Sequence, residues 1–299
     1  MMAGTVHSVW RGAAGRVGQT GTPERIFPWW SFTKTVIAIC ALRAAERGLL
    51  DLDLPRDGMT LRQLLRHEAG LADYGALPGY KADVAAGRPP WSRARLLAEL
   101  PPPPHPPGQG WRYSNPGYML ARERVEAATG RDLATLVAED ICAPLGLRGL
   151  RLARDLSDMA AIHWPAGRQY HPGWVYHGLL IGPAGAAAEL LHGLAMGRLL
   201  SPDSLAQMRQ RHPLGGAIPG RPWEDTGYGL GLMSGTLRGA GRVWGHSGAG
   251  PFSVNAVYHF ADLAEPLTVA SFTDGHDEGR AEWAAVRIAT GGGVARGPG

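Results

Sequence analysis

The chain has 299 residues, a net charge of +4 and 44% hydrophobic residues. That is ample for a sizeable core, and the modest charge, spread over scattered arginines, argues against a nucleic-acid surface. No run of about 18 apolar residues marks a membrane span, and Cys40 and Cys142 sit in apolar helical contexts that favour buried free thiols. The opening MMAGTVHSVWRG holds no continuous apolar run, so the expected location is the cytoplasm, a periplasmic one requiring residues ahead of Met1.

Residues 1–28 alternate around turn glycines and predict short antiparallel strands. A long helix follows over about 31–47, ended by Gly48. Thr60 and Gly70 bracket a helix in TLRQLLRHEAG, and WSRARLLAEL predicts a short amphipathic one. PPPPHPPGQG must be loop. NPGYMLARERVEAATG reads as a helix with Pro116 in its first turn and Gly130 after its end. DLATLVAEDICAPLGL continues as a helix closed by Pro144 and Gly146, and 150–180 reads as irregular. PAGAAAELLHGLAMGRLL and SPDSLAQMRQR are two more helices, the second capped by Ser201. From 226 strands return (TGYGLGLMSGTL, GRVWGHSG, FSVNAVYHF, PLTVASFTDG), before a last helix in EGRAEWAAVRIAT. The expected class is α+β: an antiparallel sheet built from both ends of the chain, flanked by the first and last helices, with an inserted helical lobe. The expected domain is 1–299, an α/β lobe of 1–50 plus 225–299 and a helical lobe of 51–224.

Three short motifs carry chemistry. In SFTK, Ser31 and Lys34 are three residues apart at the start of an apolar helix, so their side chains share a face. A serine hydroxyl needs a base, and a poorly solvated lysine has a lowered pKa. Lys34 is one of only two lysines, with Lys81. Tyr113 and Asn115 form Y-x-N before a helix; a phenol beside a cationic lysine is expected to ionise more easily, and the amide can hold both lysine and substrate. His246, Ser247 and Gly248 lie where a strand enters a glycine-rich segment, whose amides can serve as oxyanion donors. Taken singly, each has a plainer reading: an N-cap serine, a packing tyrosine in a turn, a hairpin.

In this order, SFTK, YSN and HSG closely resemble the class C β-lactamase and penicillin-binding-protein-related serine hydrolases, which include DD-peptidases, D-aminopeptidases and esterases. TLRQLLRHEAGL, PPGQGWRYSNPGYMLARERVEAATG and WGHSGAGPFSVNAVYHF extend the likeness over about residues 25–275. The resemblance implies Ser31 as the acylated nucleophile, Lys34 as an aid to its deprotonation and Tyr113 as the base of both half-reactions. It implies Asn115, His246, Ser247 and Gly248 as substrate-binding residues, with the backbone amides of Ser31 and Ala249 as oxyanion hole. Whether Lys34 or Tyr113 takes the first proton stays open. No metal or organic cofactor is implied. The expected partner is a small ester, amide or D-amino-acid substrate, with no nucleic acid or membrane, and the oligomeric state is open.

His246 stands where the lactamases usually carry lysine, and a largely neutral histidine weakens the grip on a β-lactam carboxylate. An esterase, amidase or D-aminopeptidase is therefore expected ahead of a true β-lactamase or D-alanyl-D-alanine carboxypeptidase. Phe27, Trp29, Trp30 and Phe32 are either core or the lining of an apolar acyl pocket. Three rivals remain. GHSGA (245–249), with Asp274 and His276, could form an α/β-hydrolase elbow; His163, His171 and His177 could hold a metal; and the chain could be a silent ligand-binding relative.

Overall fold

The computed structural model describes residues 5–292; the expected domain ends, 1–4 and 293–299, lie outside the described residues. In chain order its strands are β1 (His7–Gly12), β2 (Val17–Thr20), β3 (Phe27–Pro28), β4 (Arg151–Ala153), β5 (Leu179–Gly182), β6 (His212–Gly215), β7 (Trp223–Tyr228), β8 (Met233–Leu237), β9 (Gly241–Ala249), β10 (Ser253–Phe260) and β11 (Leu267–Asp274). Eight of them form an antiparallel sheet in the order β2-β1-β11-β10-β9-β8-β7-β6. The two ends of the chain meet where β1 pairs with β11, His7 opposite Phe272 and Gly12 opposite Leu267. The fold is α+β, with this sheet as its middle layer.

Strand β10 is buried on both faces, which is why FSVNAVYHF shows no clean alternation of apolar and polar residues. Val257 packs in a core with helices Phe32–Glu46 and Ala184–Ala195, while Val254, Ala256, Tyr258 and Phe260 pack with helix Glu278–Ala289. Helix Phe32–Glu46 lies between the sheet and helix Asn115–Thr129 and is apolar almost all round, as a surface helix would not be. No helix among the described residues is long and apolar enough to cross a membrane. Both cysteines are free, Cys40 buried and Cys142 half-buried.

The structure departs from the sequence reading in identifiable places. The helix expected across DLATLVAEDICAPLGL opens into a π-helical turn at Val137–Cys142, next to Pro144, which has no amide hydrogen to donate. The stretch read as irregular contains β4 and β5, which join β3 in a separate small sheet of order β3-β5-β4. These strands, of two to four residues, are too short to show a period. Helix Pro78–Ala85 was not foreseen either. The C-terminal run of strands in the large sheet begins at His212, and helix Ala184–Ala195 packs on that sheet, although both fall within the 51–224 stretch assigned to the helical lobe.

Behind β9, one buried carboxylate ties helix Glu278–Ala289 to the sheet. Glu282 has no exposed surface. Its oxygens accept from Arg221 Nε at 2.8 Å, Trp223 Nε1 at 3.0 Å, Ser247 Oγ at 2.6 Å and Tyr258 O–H at 3.2 Å. Removing one side of a buried ion pair costs far more than the pair contributes, because the other charge is stranded. Glu282→Ala should therefore lower stability in urea unfolding by about 3–5 kcal/mol. A loss below ~1 kcal/mol, the worth of one ordinary hydrogen bond, would contradict this account of the network.

Candidate active site

The site starts from a strained turn. Trp30 has φ 44°, a left-handed conformation costly for a bulky residue. It is held there from several sides. Asn255 Nδ2 donates to the Trp29 carbonyl at 3.0 Å, Trp30 Nε1 donates to Ser253 Oγ at 3.0 Å, and Phe252 and Tyr170 pack edge-on against the indole. The turn delivers Ser31 to the N-cap of helix Phe32–Glu46, yet its hydroxyl caps no amide and is free for other partners. The unpaired amides and positive dipole end of this helix favour negative charge beside Ser31.

Gly248 brings β9 up against this turn. A Cβ there would lie 2.9 Å from the Ser31 nitrogen and 2.8 Å from Trp30 Cβ. Only glycine allows so close an approach. Ala249, the next residue, borders with Ser31 on both cavities that flank the turn.

Three side chains converge on the serine. Lys34 Nζ donates to Ser31 Oγ at 2.9 Å and to Asn115 Oδ1 at 2.7 Å, and the Tyr113 hydroxyl donates to Ser31 Oγ at 2.8 Å. Lys34 is completely buried. Burial pulls its pKa down to about 7, against the opposing pull of the Asp73 carboxylate. The Tyr113 phenol moves the other way: burial pushes it well above its ordinary value, outweighing the hydrogen bond to Ser31. The expected easing of Tyr113 ionisation is therefore reversed, because desolvation penalises a phenolate as it penalises an ammonium. At neutral pH the phenol keeps its proton while the amine is close to losing one.

The Tyr113–Asn115 turn is pinned by residues the motifs did not reveal. Asp73 accepts from the Asn115 amide at 2.8 Å and from Gly75 N at 3.2 Å. Ser114 caps helix Asn115–Thr129, and its own amide donates to His67 Nδ1 at 3.1 Å. The His67 ring lies 4.3 Å from that of Tyr113. The available signals were an aspartate heading a D-Y-G turn and the histidine of LRHEAGL.

The HSG residues divide between two faces, as neighbours on a strand must. His246 is buried, and its Nε2 accepts from the Tyr228 hydroxyl at 2.8 Å while Nδ1 meets the Ser247 carbonyl. Burial, helped by the charge of Lys34, lowers its pKa to about 3, so it is neutral. Ser247 borders the second cavity, but its hydroxyl is committed to Glu282 and Tyr258 behind the strand. The structure thus brings Ser31, Lys34, Tyr113, Asn115, Gly248 and Ala249 together, with His246 alongside. It turns the Ser247 side chain away.

Two cavities open on Ser31, Asn115 and Ala249. The first, about 380 Å³, is lined by Trp30, Tyr74, Tyr80, Tyr170 and Val175, with Lys81. The second, about 400 Å³, is lined by Trp111, Trp223, Tyr228 and Met233, with Arg221 and Glu278. Trp30 is therefore pocket wall, while Phe27, Trp29 and Phe32 are core. The rival motifs scatter. GHSGA runs along strand β9 rather than a strand-to-helix elbow. His163 packs edge-on against His7 at 4.6 Å, His171 accepts from Gly173 N at 3.1 Å, and His177 faces Lys34.

A family model described as Beta-lactamase matches residues 4–291. The chain belongs to the beta-lactamase family. Among curated relatives it is 30% identical to monacolin J acid methylbutanoyltransferase of Aspergillus terreus, over 64% of this chain and 58% of that protein. The match thus spans little more than half the length of that relative. Esterase EstB of Burkholderia gladioli is 27% identical over 87% of this chain and 81% of its own. A crystal structure of a D-stereospecific amidohydrolase from Streptomyces sp. superposes with a TM-score of 0.80 at 24% identity, covering 98% of this chain and 95% of the other. That likeness bears on the fold, which this beta-lactamase family member shares.

The tight approach at Gly248 is open to test. Gly248→Ala places a methyl against backbone and a packed Trp30, neither of which can swing aside. The expected cost in urea unfolding is about 1–3 kcal/mol, as for overpacking elsewhere. An unchanged unfolding midpoint would show that β9 does not press on the Ser31 turn.

Proposed function

We propose that this protein hydrolyses small esters or amides through an acyl-enzyme on Ser31. The observation that carries the reading is the double contact on Ser31 Oγ, by an amine whose pKa burial has brought to about 7 and by a phenol that stays protonated. In its neutral form Lys34 accepts the Oγ–H proton as Oγ bonds to the substrate carbonyl carbon. The Ser31 and Ala249 amides stabilise the oxyanion that forms, aided by the helix N-terminus. Asn115 accepts from Lys34 through Oδ1 and offers its side-chain N–H groups to the substrate. The leaving group departs with the proton that the Lys34 ammonium holds toward Oγ, while the Tyr113 hydroxyl donates to Oγ itself. Water then attacks the ester on Ser31, gives its proton to the same amine, and Oγ leaves protonated.

Charge in the second cavity supports esters and amides over β-lactams. His246 is neutral there. Arg221, the cation in its lining, donates to Glu278 at 2.8 Å and to Glu282 at 2.8 Å. A substrate carboxylate would meet a guanidinium already engaged by two carboxylates. The names of EstB and of the Streptomyces amidohydrolase agree with such substrates.

With a p-nitrophenyl ester as substrate, Ser31→Ala should abolish turnover. Lys34→Arg should lose about 10²–10⁴-fold in kcat/KM, the usual worth of a general base, because a guanidinium does not give up its proton. The pKa of Lys34 is depressed, so the reactive neutral amine accumulates as pH rises. The wild-type kcat/KM should accordingly climb through about pH 7 and level off above it. A flat profile between about pH 5 and about pH 9, or full activity in Ser31→Ala, would defeat the reading.

A further inference from the structure

Lys34 has a third neighbour that none of the motifs supplies. His177, just ahead of β5, is buried, and its Nε2 lies 3.4 Å from Lys34 Nζ. An amine has three tetrahedral corners besides its bond to carbon. Here they point to Ser31 Oγ at 2.9 Å, Asn115 Oδ1 at 2.7 Å and His177 Nε2 at 3.4 Å. A protonated lysine has no lone pair, so the ring nitrogen across from it must be the unprotonated acceptor, and the ring hydrogen must sit on Nδ1. On its other side the Trp30 backbone acts on the ring as an acceptor, though without a well-formed hydrogen bond to Nδ1.

We propose that His177 is a positioning residue for Lys34, accepting one N–H of the amine and so directing its lone pair at the Ser31 hydroxyl. This rests on the reading of Lys34 as the base for Ser31. A neutral amine has two N–H groups and one lone pair. With Asn115 and His177 each taking an N–H, the only corner left for the lone pair is the one facing Ser31. When the proton leaves Oγ for Nζ, the resulting ammonium keeps acceptors at Asn115 and His177, and the third N–H faces Oγ. His177 thus fixes the amine before transfer and stabilises the ammonium after it. A charged donor gains more from an acceptor than a neutral one, so His177 raises the lysine pKa.

The other groups facing Lys34 do not titrate near neutrality. His67, on the turn after helix Leu61–Arg66, and His177 itself are held well below the ordinary histidine range by burial, and His246 on β9 is lowered to about 3. Tyr113 and Tyr118, whose rings lie 5.0 and 5.6 Å from Nζ, are pushed up by burial. Asp73 is the acidic group acting on Lys34. A change in Lys34 titration on altering His177 therefore reports the contact itself.

The sequence makes the test direct. Lys34 and Lys81 are the only lysines, so NMR of protein labelled at lysine Cε yields two signals, assigned with Lys81→Arg. In His177→Leu the Lys34 midpoint should fall by roughly one unit, the acid limb of kcat/KM should move down with it, and the plateau should drop about tenfold. His177→Gln, which can offer its amide oxygen to Nζ, should recover most of both. An unchanged or raised Lys34 midpoint in folded His177→Leu would overturn the proposal. Should that variant fail to fold, imidazole nitrogen NMR of the wild type decides, since a His177 ring protonated at Nε2 when Lys34 is charged would overturn it equally. The lysine titration needs no turnover. A His177-dependent midpoint without ester hydrolysis would sink the acyl-enzyme reading alone, and normal hydrolysis with a His177-independent midpoint would sink this proposal alone.

Discussion

A lysine amine sealed from water is the constraint around which the molecule is arranged. Desolvation of an ammonium is expensive, and a protein that buries one must supply acceptors, a counter-charge, or a pKa low enough to remove the charge. All three occur at Lys34: Asn115 and Ser31 accept from it, Asp73 acts on it from the neighbouring turn, and its pKa falls to about 7. Each comes from a different part of the chain. The apolar helix Phe32–Glu46 encloses the amine, the N-terminus of helix Asn115–Thr129 offers the amide oxygen, and β9 presses through Gly248 on the turn that carries Ser31. The same dryness acts with opposite sign on the phenol beside it. One environment thus yields a near-neutral base and a proton-retaining acid around a single hydroxyl.

That arrangement also explains where strain and glycine are placed. Trp30 adopts a backbone conformation it would not choose, and three side-chain contacts from β10 and the loop before it over-determine that choice. In exchange Ser31 stands clear of its own helix cap and within reach of the β9 backbone. Behind β9, the Glu282 network holds the strand against helix Glu278–Ala289, so that the approach at Gly248 has a rigid back wall.

Much of this was legible in the sequence where the chemistry is local. Ser31 and Lys34 meet because three residues make nearly one helical turn, and Tyr113 and Asn115 are brought in as one turn ahead of a helix. The helices with explicit caps at Thr60 and Ser201 follow from side chains that bond amides three residues on. Illegible were partners set only by tertiary packing. Asp73, Asn255 and His177 look like ordinary turn, strand and loop residues, and nothing near them in sequence names Asn115, Trp29 or Lys34. Ser247 was misread because a triplet of adjacent residues suggests one shared role, whereas a strand sends neighbours to opposite faces. Tyr113 was misread in sign, because the sequence shows its charged neighbour but not the burial that outweighs it.

The central claim is that Ser31 is a nucleophile activated by the buried amine. Its most direct test is the intact mass of the protein after exposure to a fluorophosphonate, followed over time at several pH values, with the modified peptide located. The account predicts one adduct, on Ser31, formed faster as pH rises through about 7, where the amine becomes neutral. Folded protein that takes up no adduct, or takes it on Ser247 instead, would contradict it.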